Sequence, residues 1–434
     1  MKLKLNIFSV LIFSCLLALN PMSLAAQHDG QDHETHEAKA EHGGDSHGTH
    51  EMAAQCSEEH SDEYNHMETL MGHIGDANEF HIVGDLHLPL PCILYAPDHG
   101  FSFFMSNKLG HGHHHIAYDR YVMNHGRINR IADASFPMGE QAVSCVLPTT
   151  ITTEDGKKKE AFMAVTPDGH EYVLEGASAL DGGLIGGGFT SYYDFSITKN
   201  VFVMFLGVLL LFFVFLPAAR GYKRNEGKAP SGIQALIEPI FLFMRDDVVR
   251  PMIGEKHYEK YLPFILSLFF FILFANLLGL IPFFPGSANI TGNLAVTMAL
   301  AIVTFFVVNL NGNKDYWEHI LWMPGIPPAV KFLLTPIEIL GLFIKPFALM
   351  IRLFANISAG HIIIISLVGL IFIFGQNGAS LGGGITGAFL GGAFTLFMNM
   401  IELIVAFIQA FIFALLTSSY IGAAVEEHGH EEAH

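Results

Sequence analysis

The sequence is poor in charged residues. Asp, Glu, Lys and Arg make up 15% of its 434 residues, against roughly 25% in an ordinary soluble protein. Basic residues are scarce, 23 against 41 acidic ones, which argues against a nucleic-acid binder because such a protein is basic. Four cysteines are too few for a disulfide-built scaffold. The chain also lacks a phosphate-binding loop and a nucleophile motif, so we expect no enzymatic activity of its own and no cofactor.

The charge that is present lies unevenly along the chain. Residues 27–197 hold 27 acidic and 8 basic residues, whereas residues 198–434 hold 14 and 13. Hydrophobic residues make up 51% of the whole chain, which excludes a disordered protein. The sequence therefore predicts an acidic segment joined to a nearly neutral, very apolar one.

Residues 1–26 have the organisation of a secretory signal peptide. Lys2 and Lys4 precede an apolar run that ends in small residues, and this order is typical of such signals. The alternative is an uncleaved anchor, although the run is shorter than the roughly 20 residues that span a bilayer. In both cases we expect the chain from residue 27 onward to start outside the cytoplasm.

Two segments of different composition follow the signal. Residues 27–79 are polar and of low complexity, so we expect them to be disordered. In residues 80–197, short apolar alternations are separated by turn signals, which predicts a small β-rich periplasmic domain. An exported domain permits disulfides. Cys92 and Cys145 lie in strand-like stretches and form the candidate pair, with Cys56 as the odd one, but the sequence does not decide the connectivity.

Histidine is concentrated in the same extension. Of the 24 His residues, 18 lie between residues 28 and 170, among them the consecutive His113, His114 and His115. One interpretation is that the imidazoles bind Zn²⁺, Cu²⁺ or Ni²⁺. The other is a solvated tract that buffers pH. No regular ligand spacing favours the first interpretation, so the sequence leaves both open.

Residues 198–434 have the pattern of an all-α membrane domain with about five spans. The apolar stretches are 200–217, 262–284, 294–310, 333–375 and 386–424. The last two are too long to stand upright in a hydrocarbon core about 30 Å thick, since a helix rises about 1.5 Å per residue. We expect them to form a steeply tilted, antiparallel pair. The amphipathic segment 231–250 predicts a helix at the membrane interface.

Basic residues in the loops predict the orientation. Residues 218–260 carry eight Lys and Arg and residues 311–332 carry two, whereas the loops 285–293 and 376–385 carry none. The positive-inside rule places the basic loops in the cytoplasm. With five spans, the N-terminal extension is then periplasmic and the C-terminus cytoplasmic, which agrees with the signal peptide. We expect a multi-pass protein of a bacterial inner membrane.

Ionisable side chains inside the two longest apolar segments are the candidate functional residues. They are Glu338, Lys345, Arg352, His361 and Glu402. A charged residue costs at least about 2–3 kcal/mol at the bilayer centre, so each needs a partner or water. The seven-residue spacing of the first three places them on one helix face. Lys345 has a second interpretation, because a lysine can snorkel to the membrane surface.

The register of an antiparallel pair brings these residues into two polar layers. Arg352 with Gln409, and His361 with Glu402, have nearly equal index sums, so each pair lies at one depth. An arginine stays charged, and neutral Gln409 and Asn356 cannot neutralise it. The missing countercharge indicates a carboxylate on another subunit. The His–Glu pair suggests a proton relay, with a mutually satisfied structural cluster as the alternative.

At these residues the sequence resembles subunit a of the F-type ATP synthase. The resemblance covers about residues 200–434 and rests on the stretches Asn276–Pro282, Lys345–Phe347, Arg352–Asn356, Ala359–His361, Glu402 and Gln409–Phe413. It implies a stator subunit with two aqueous half-channels, which couples proton flow to ATP synthesis. The implied partners are the ring of c subunits, the b subunits of the peripheral stalk, the rest of the ATP synthase complex and the lipid membrane.

The resemblance also implies the role of each matching residue. Arg352 matches the family's essential arginine, Gln409 its polar companion and Asn356 the polar residue one turn past it. Glu338 matches the acidic position of the cytoplasmic half-channel.

The outer half-channel positions are matched by His361 and Glu402. Many bacterial relatives hold Glu and His there in the opposite order, so this chain keeps one of each. The family has no common extension of the size of residues 27–197, whose role the resemblance therefore leaves open. The coupling ion, H⁺ or Na⁺, depends on a carboxylate of the other subunit.

A competing hypothesis is a metal-ion transporter with a His-rich periplasmic domain. It explains the histidines, but it predicts several His or Asp ligands near the midplane of the spans. Only His361 and Glu402 qualify. A purely structural membrane anchor is a third hypothesis, which gives Arg352 no purpose.

Overall fold

The computed structural model describes residues 75–83, 86–110, 115–152, 158–176, 192–281, 288–323, 325–376 and 379–426. The predicted signal peptide, nearly all of the predicted disordered segment, His113 and His114 lie outside the described residues. The chain forms two compact units. One contains Val203–Leu367 and the residues from Gly392 onward, and the other contains the described residues up to Phe202 together with Val368–Gly391.

Antiparallel strands make up the described chain before the first long helix. The run Pro91–Ala96 is typical, because every second side chain is buried, as the two-residue period of a strand requires. The strands of the described residues are β1 Glu79–Val83, β2 Leu86–Pro89, β3 Pro91–Ala96, β4 Gly100–Met105, β5 His115–Tyr118, β6 Tyr121–Asn124, β7 Arg127–Ile131, β8 Glu140–Val143, β9 Cys145–Thr152, β10 Lys158–Val165, β11 Glu171–Gly176 and β12 Tyr193–Asp194. They confirm the β-rich character predicted for this region.

The strands form three sheets. One pairs β1 with β2, a second has the order β8-β5-β6-β7-β11-β10-β9, and a third has the order β12-β3-β4. Their inward side chains build two apolar clusters, one around Leu94 and Tyr121 and the other around Val122 and Leu174. Each fully buried leucine stabilises such a core by about 1.5–3 kcal/mol, so packing holds this small domain together.

The candidate disulfide between Cys92 and Cys145 is wrong. Cys145 is disulfide-bonded, whereas Cys92 is a buried free thiol. The two residues lie in different sheets, on β3 and β9, and strand-like sequence around both gave no information on which sheets they join. Burial, with Asp194 and Glu79 nearby, raises the pKa of Cys92 to about 12, so this thiol stays protonated.

Helices make up the rest of the described chain. They are α1 Lys199–Arg224, α2 Ile233–Phe243, α3 Arg250–Ile253, α4 Tyr258–Gly279, α5 Leu294–Leu310, α6 Lys314–Trp322, α7 Pro328–Gly375 and α8 Leu381–Val425. Four of them, α1, α4, α7 and α8, are long and apolar enough to cross a membrane. The predicted spans near their positions are therefore confirmed as membrane-length helices.

The third predicted span, residues 294–310, coincides with helix α5, and a sharp turn that the sequence did not predict follows it. Helix α5 has 17 residues, and the chain turns by 102° into α6. The side chain of Asn311 donates to the Val307 carbonyl at 2.8 Å, which satisfies a carbonyl left free at the helix end. The described chain thus has four candidate spans, or five when the bent pair is counted.

The amphipathic segment 231–250 is helical, as predicted. It forms α2 and continues through the π-helical turn Met244–Val249 into α3. Its location at the membrane interface stays a prediction.

Helices α7 and α8 are the longest elements, with 48 and 45 residues. At about 1.5 Å per residue each is roughly twice as long as a bilayer core is thick. Pro336 and Pro346 both lie inside the continuous helix α7. Near the turn between the helices, a Cβ added to Gly375 would lie 3.3 Å from the Cα of Gly384, so glycine allows the two backbones to approach closely.

Candidate functional site

Helices α7 and α8 meet at Gly360 and Glu402. A Cβ added to Gly360 would overlap Oε1 of Glu402, so the carboxylate occupies the space that a side chain would fill at that position. Further along the same helices, Nζ of Lys345 lies 5.6 Å from the ring centroid of Tyr420. Both contacts fit the antiparallel register inferred from the sequence.

Glu402 is buried in the interior of its unit. The residue is 6% exposed, and Oε2 accepts no hydrogen bond from any described residue. Burial of a carboxylate without a partner costs several kcal/mol when it is ionised. A proton or a water molecule at Oε2 would remove this cost.

His361 follows Gly360 directly on α7 and is half-buried. A Cβ added to Gly279, at the end of α4, would lie 3.6 Å from its Nε2. The imidazole thus lies beside the C-terminal end of α4, while the neighbouring Gly360 contacts Glu402. His361 therefore follows, in sequence, the glycine that contacts Glu402, and its own ring lies beside α4.

A buried hydrogen-bond network links these same helices. Asn276 on α4 donates from Nδ2 to the Ala406 carbonyl on α8 at 3.2 Å, and its Oδ1 accepts from Thr291. Ser358 on α7 donates to the Gly292 carbonyl at 3.4 Å. Sequence reasoning gave these residues no role. An amide inside an apolar helix was a usable signal for Asn276, but nothing in the sequence singled out Thr291 or Ser358.

Arg352 lies on the surface of its unit and not in the interior. The residue is exposed, among apolar side chains such as Ile351, 40% exposed, and Phe347, 60% exposed. Its guanidinium makes no hydrogen bond or ion pair with any described residue. A permanent charge is thus displayed on an apolar helix face without a countercharge from the described part of this chain.

The remaining sequence-predicted residues differ in their exposure. Asn356 is exposed and Glu338 is half-buried on α7, whereas Gln409 on α8 is only 6% exposed. No hydrogen bond joins Gln409 to Arg352 in the part of the chain that the structure describes. Lys345 is exposed and lies over Tyr420.

The metal hypothesis finds no ligand cluster in the described ranges, where no group of three or more His, Cys, Asp or Glu is close enough to hold an ion. His115 is half-buried at the start of β5. His113 and His114 fall outside the described residues.

These observations define the class of protein. Several membrane-length helices, a buried unpaired carboxylate and an exposed arginine on an apolar face are typical of a multi-pass membrane protein with an ion path. The model of the family described as ATP synthase A chain matches residues 201–422. The chain belongs to this family, as the resemblance predicted.

Individual relatives of this chain support the same family assignment. ATP synthase subunit a of Chloroherpeton thalassium is 40% identical over 290 residues, which cover 64% of this chain and 81% of that protein. The protein of the same name from Chlorobium phaeobacteroides is 42% identical over 245 residues, 55% of this chain and 69% of that one. That of Myxococcus xanthus is 40% identical over 250 residues, 55% and 78% of the two chains.

The extension matches a second family in part. Residues 69–164 match a family described as Domain of unknown function (DUF8433). This match covers many of the strands, but its description carries no activity.

Proposed function

We propose that this chain is the proton-conducting stator subunit a of an F-type ATP synthase in a bacterial inner membrane. It provides two aqueous half-channels and presents Arg352 to the rotating ring of c subunits. The observation that supports this most directly is the exposed, uncompensated Arg352 on the apolar face of α7. The chain does no catalysis itself but couples proton flow to ATP synthesis in the head of the complex.

The partner of the arginine face is inferred from charge. A charge at the bilayer centre costs at least about 2–3 kcal/mol against lipid, so a lipid-facing Arg352 would be unfavourable. An acidic group on a neighbouring chain removes that cost. The proton-carrying carboxylate of a c subunit fits, since it passes the stator at this depth once per step.

The outer half-channel runs through the buried polar layer. Gly360 gives Glu402 its space, His361 lies beside α4, and Asn276 links α4 to α8. Proton exchange between Glu402 and water or His361 delivers the proton towards the ring. Glu338, on the other side of Arg352 along α7, serves the cytoplasmic half-channel.

The two half-channels remain separate because of Arg352. A positive charge next to a ring carboxylate favours its ionised form, so the carboxyl group releases its proton before it passes. The same charge repels a proton that would cross directly between the half-channels. Gln409 and Asn356 supply polar contacts around the arginine, and the b subunits hold the stator still.

The orientation in the membrane is inferred from the basic residues in the loops. The extension lies in the periplasm and the C-terminus in the cytoplasm. A metal-ion transporter remains the alternative function, but no observation favours it, because the family match covers the whole membrane part and the described residues hold no metal cluster.

The Gly360→Ala substitution is expected to lower proton conduction strongly. The added methyl group would overlap the Glu402 carboxylate, and a misplacement of about 1 Å can cost on the order of 100-fold in such sites. Proton uptake by vesicles containing the assembled complex measures the loss. Gly341→Ala is the matched control on α7, since nothing lies within 4 Å of its added Cβ. Equal conduction by both variants would contradict the role of this contact.

The complex reconstituted in liposomes is expected to take up protons along an imposed potential and to make ATP. Deletion of residues 30–190, with the signal retained, should leave both activities within about twofold, because the channel residues all lie in the family-matched region. Failure of the full-length complex would refute the proposed function. Conduction by the full-length complex and not by the assembled deletion variant would make the extension part of the proton path.

A further inference from the structure

The three-stranded sheet β12-β3-β4 has an apolar outer face. Cross-strand neighbours there form two rows, which are Tyr193, Tyr95 and Phe101, and Phe195, Ile93 and Phe103. We call these six residues the aromatic face. Aromatic rings also touch across the strands, since the centroids of Tyr95 and Phe101 are 4.8 Å apart.

The aromatic face is accessible although its residues are apolar. Phe101, Phe103 and Phe195 are 74%, 72% and 56% exposed. The opposite side of the same strands already forms the core, with Leu94 and Phe104 buried. An antiparallel sheet with one face in water normally alternates apolar and polar residues. A sheet that is apolar on both sides is expected to be covered on both sides.

The outer side of the seven-stranded sheet is more polar than the aromatic face. Outer positions of the seven-stranded sheet include Glu140 on β8 and Glu171 on β11, and both are exposed. The aromatic face, in contrast, contains no charged side chain. Single apolar residues such as Met138 and Val173 are exposed elsewhere in the described domain, but the exposed aromatic side chains are confined to the three-stranded sheet.

The sheet runs directly into the first membrane helix. The backbone N–H of Ile197 donates to Pro91 at 3.1 Å, which extends the pairing of β3 to two residues before α1 begins. The N–H of Lys199, the first residue of α1, donates to Ala77 at 2.8 Å. At no more than about 3.6 Å per residue, Phe195 lies within roughly 15 Å of the start of the span.

We propose that the aromatic face lies on the outer leaflet of the lipid bilayer, with its rings in the interfacial layer. This layer is the environment that tyrosine and tryptophan prefer at membrane surfaces, with an apolar body buried and a polar tip in water. The short connection to α1 allows the face to reach that depth, and the absence of charged side chains among its six residues avoids the largest desolvation cost. On this proposal the extension is bound to the membrane surface through its aromatic face.

Site-specific photo-crosslinking in the assembled complex tests this. The photoreactive residue p-benzoylphenylalanine replaces Phe101 or Phe103, and Met138 serves as the control because it is 47% exposed elsewhere in the domain. The complex is reconstituted in liposomes of phosphatidylethanolamine and phosphatidylglycerol with radiolabelled acyl chains. Lipid adducts at Phe101 and Phe103 should exceed those at Met138 by at least about tenfold, since burial of one phenylalanine is worth about 1.5–3 kcal/mol.

Adducts with another protein chain would overturn the proposal and identify the face as a subunit interface. Lipid labelling no higher than at Met138 would overturn it as well and leave the face in water. A second variant tests whether Phe101 and Phe103 hold the face on the bilayer. It carries the photoreactive residue at position Phe195 together with the substitutions Phe101→Ser and Phe103→Ser. These two side chains are exposed, so the fold should persist. Lipid adducts at Phe195 should then fall several-fold, and an unchanged yield would refute the contribution of the two rings.

Discussion

Replacing Arg352 with alanine is expected to abolish ATP synthesis and to let protons leak through the membrane sector. The guanidinium is exposed on α7 without a countercharge from the described chain, so its charge is available to a ring carboxylate. Without it, a carboxyl group can pass while still protonated, and the half-channels are no longer separated. Loss of one stabilising group of this kind typically costs about 10²–10³-fold. ATP synthesis driven by a pH jump in vesicles measures the first effect, and passive proton uptake after removal of the head measures the second.

Two further variants sharpen this test. Arg352→Lys keeps a positive charge but loses the planar fork of donors, so ATP synthesis is expected to stay abolished. Ile351→Ala is the control, because it removes an adjacent exposed side chain without touching the charge. ATP synthesis at the wild-type rate in Arg352→Ala membranes would end this interpretation of the protein.

Glu402→Gln is expected to slow proton flow by at least about tenfold, since positioned acid–base groups contribute about 10²–10⁴-fold. An amide has nearly the shape of the carboxylate, so the packing against Gly360 should persist while the exchangeable proton is lost. Proton uptake at matched complex levels measures this. Glu318→Gln, at an exposed position on α6, removes the same charge away from the polar layer and should have little effect.

The exchange His361→Glu with Glu402→His is expected to retain more proton uptake than either single substitution. Each of the two positions then still carries a titratable group, in the order that the family resemblance implies for many bacterial relatives. If the double variant is as inactive as the single ones, the two positions are not interchangeable members of one relay, although Glu402 can still act alone.

Local sequence properties predicted the helices well. Hydropathy and length identified α1, α4, α7 and α8, because twenty or more apolar residues satisfy their backbone only as helices in lipid. The third stretch, 294–310, coincides with helix α5, but hydropathy did not predict the short helix α6 or the 102° turn between the two helices. A side-chain hydrogen bond from Asn311 to the Val307 carbonyl accompanies that turn, and hydropathy does not report such a bond.

The cysteine pairing and the buried polar layer show a second limit of prediction from local sequence. The sequence around Cys92 and Cys145 predicted that each residue lies in a strand, but not which sheet each strand joins. In the structure the two cysteines lie in different sheets, and Cys92 is a free thiol. Asn276 bonds to a carbonyl 130 residues away. Contacts between residues so far apart in sequence depend on how whole helices pack, and a local sequence pattern holds no information on that packing.

The sequence by itself determined the membrane class of this protein, the family to which it belongs and the residues on which its chemistry is proposed to depend. A charged residue inside an apolar helix is costly whatever the helix packs against, so the sequence alone identifies Arg352 and Glu402 as candidate functional residues. Only the tertiary structure decided that Glu402 is buried against Gly360 while Arg352 is exposed. It alone also revealed the aromatic face, because a strand's period shows which residues share a side but not what covers that side. Exposure is a property of the packed chain, and packing joins residues far apart in sequence.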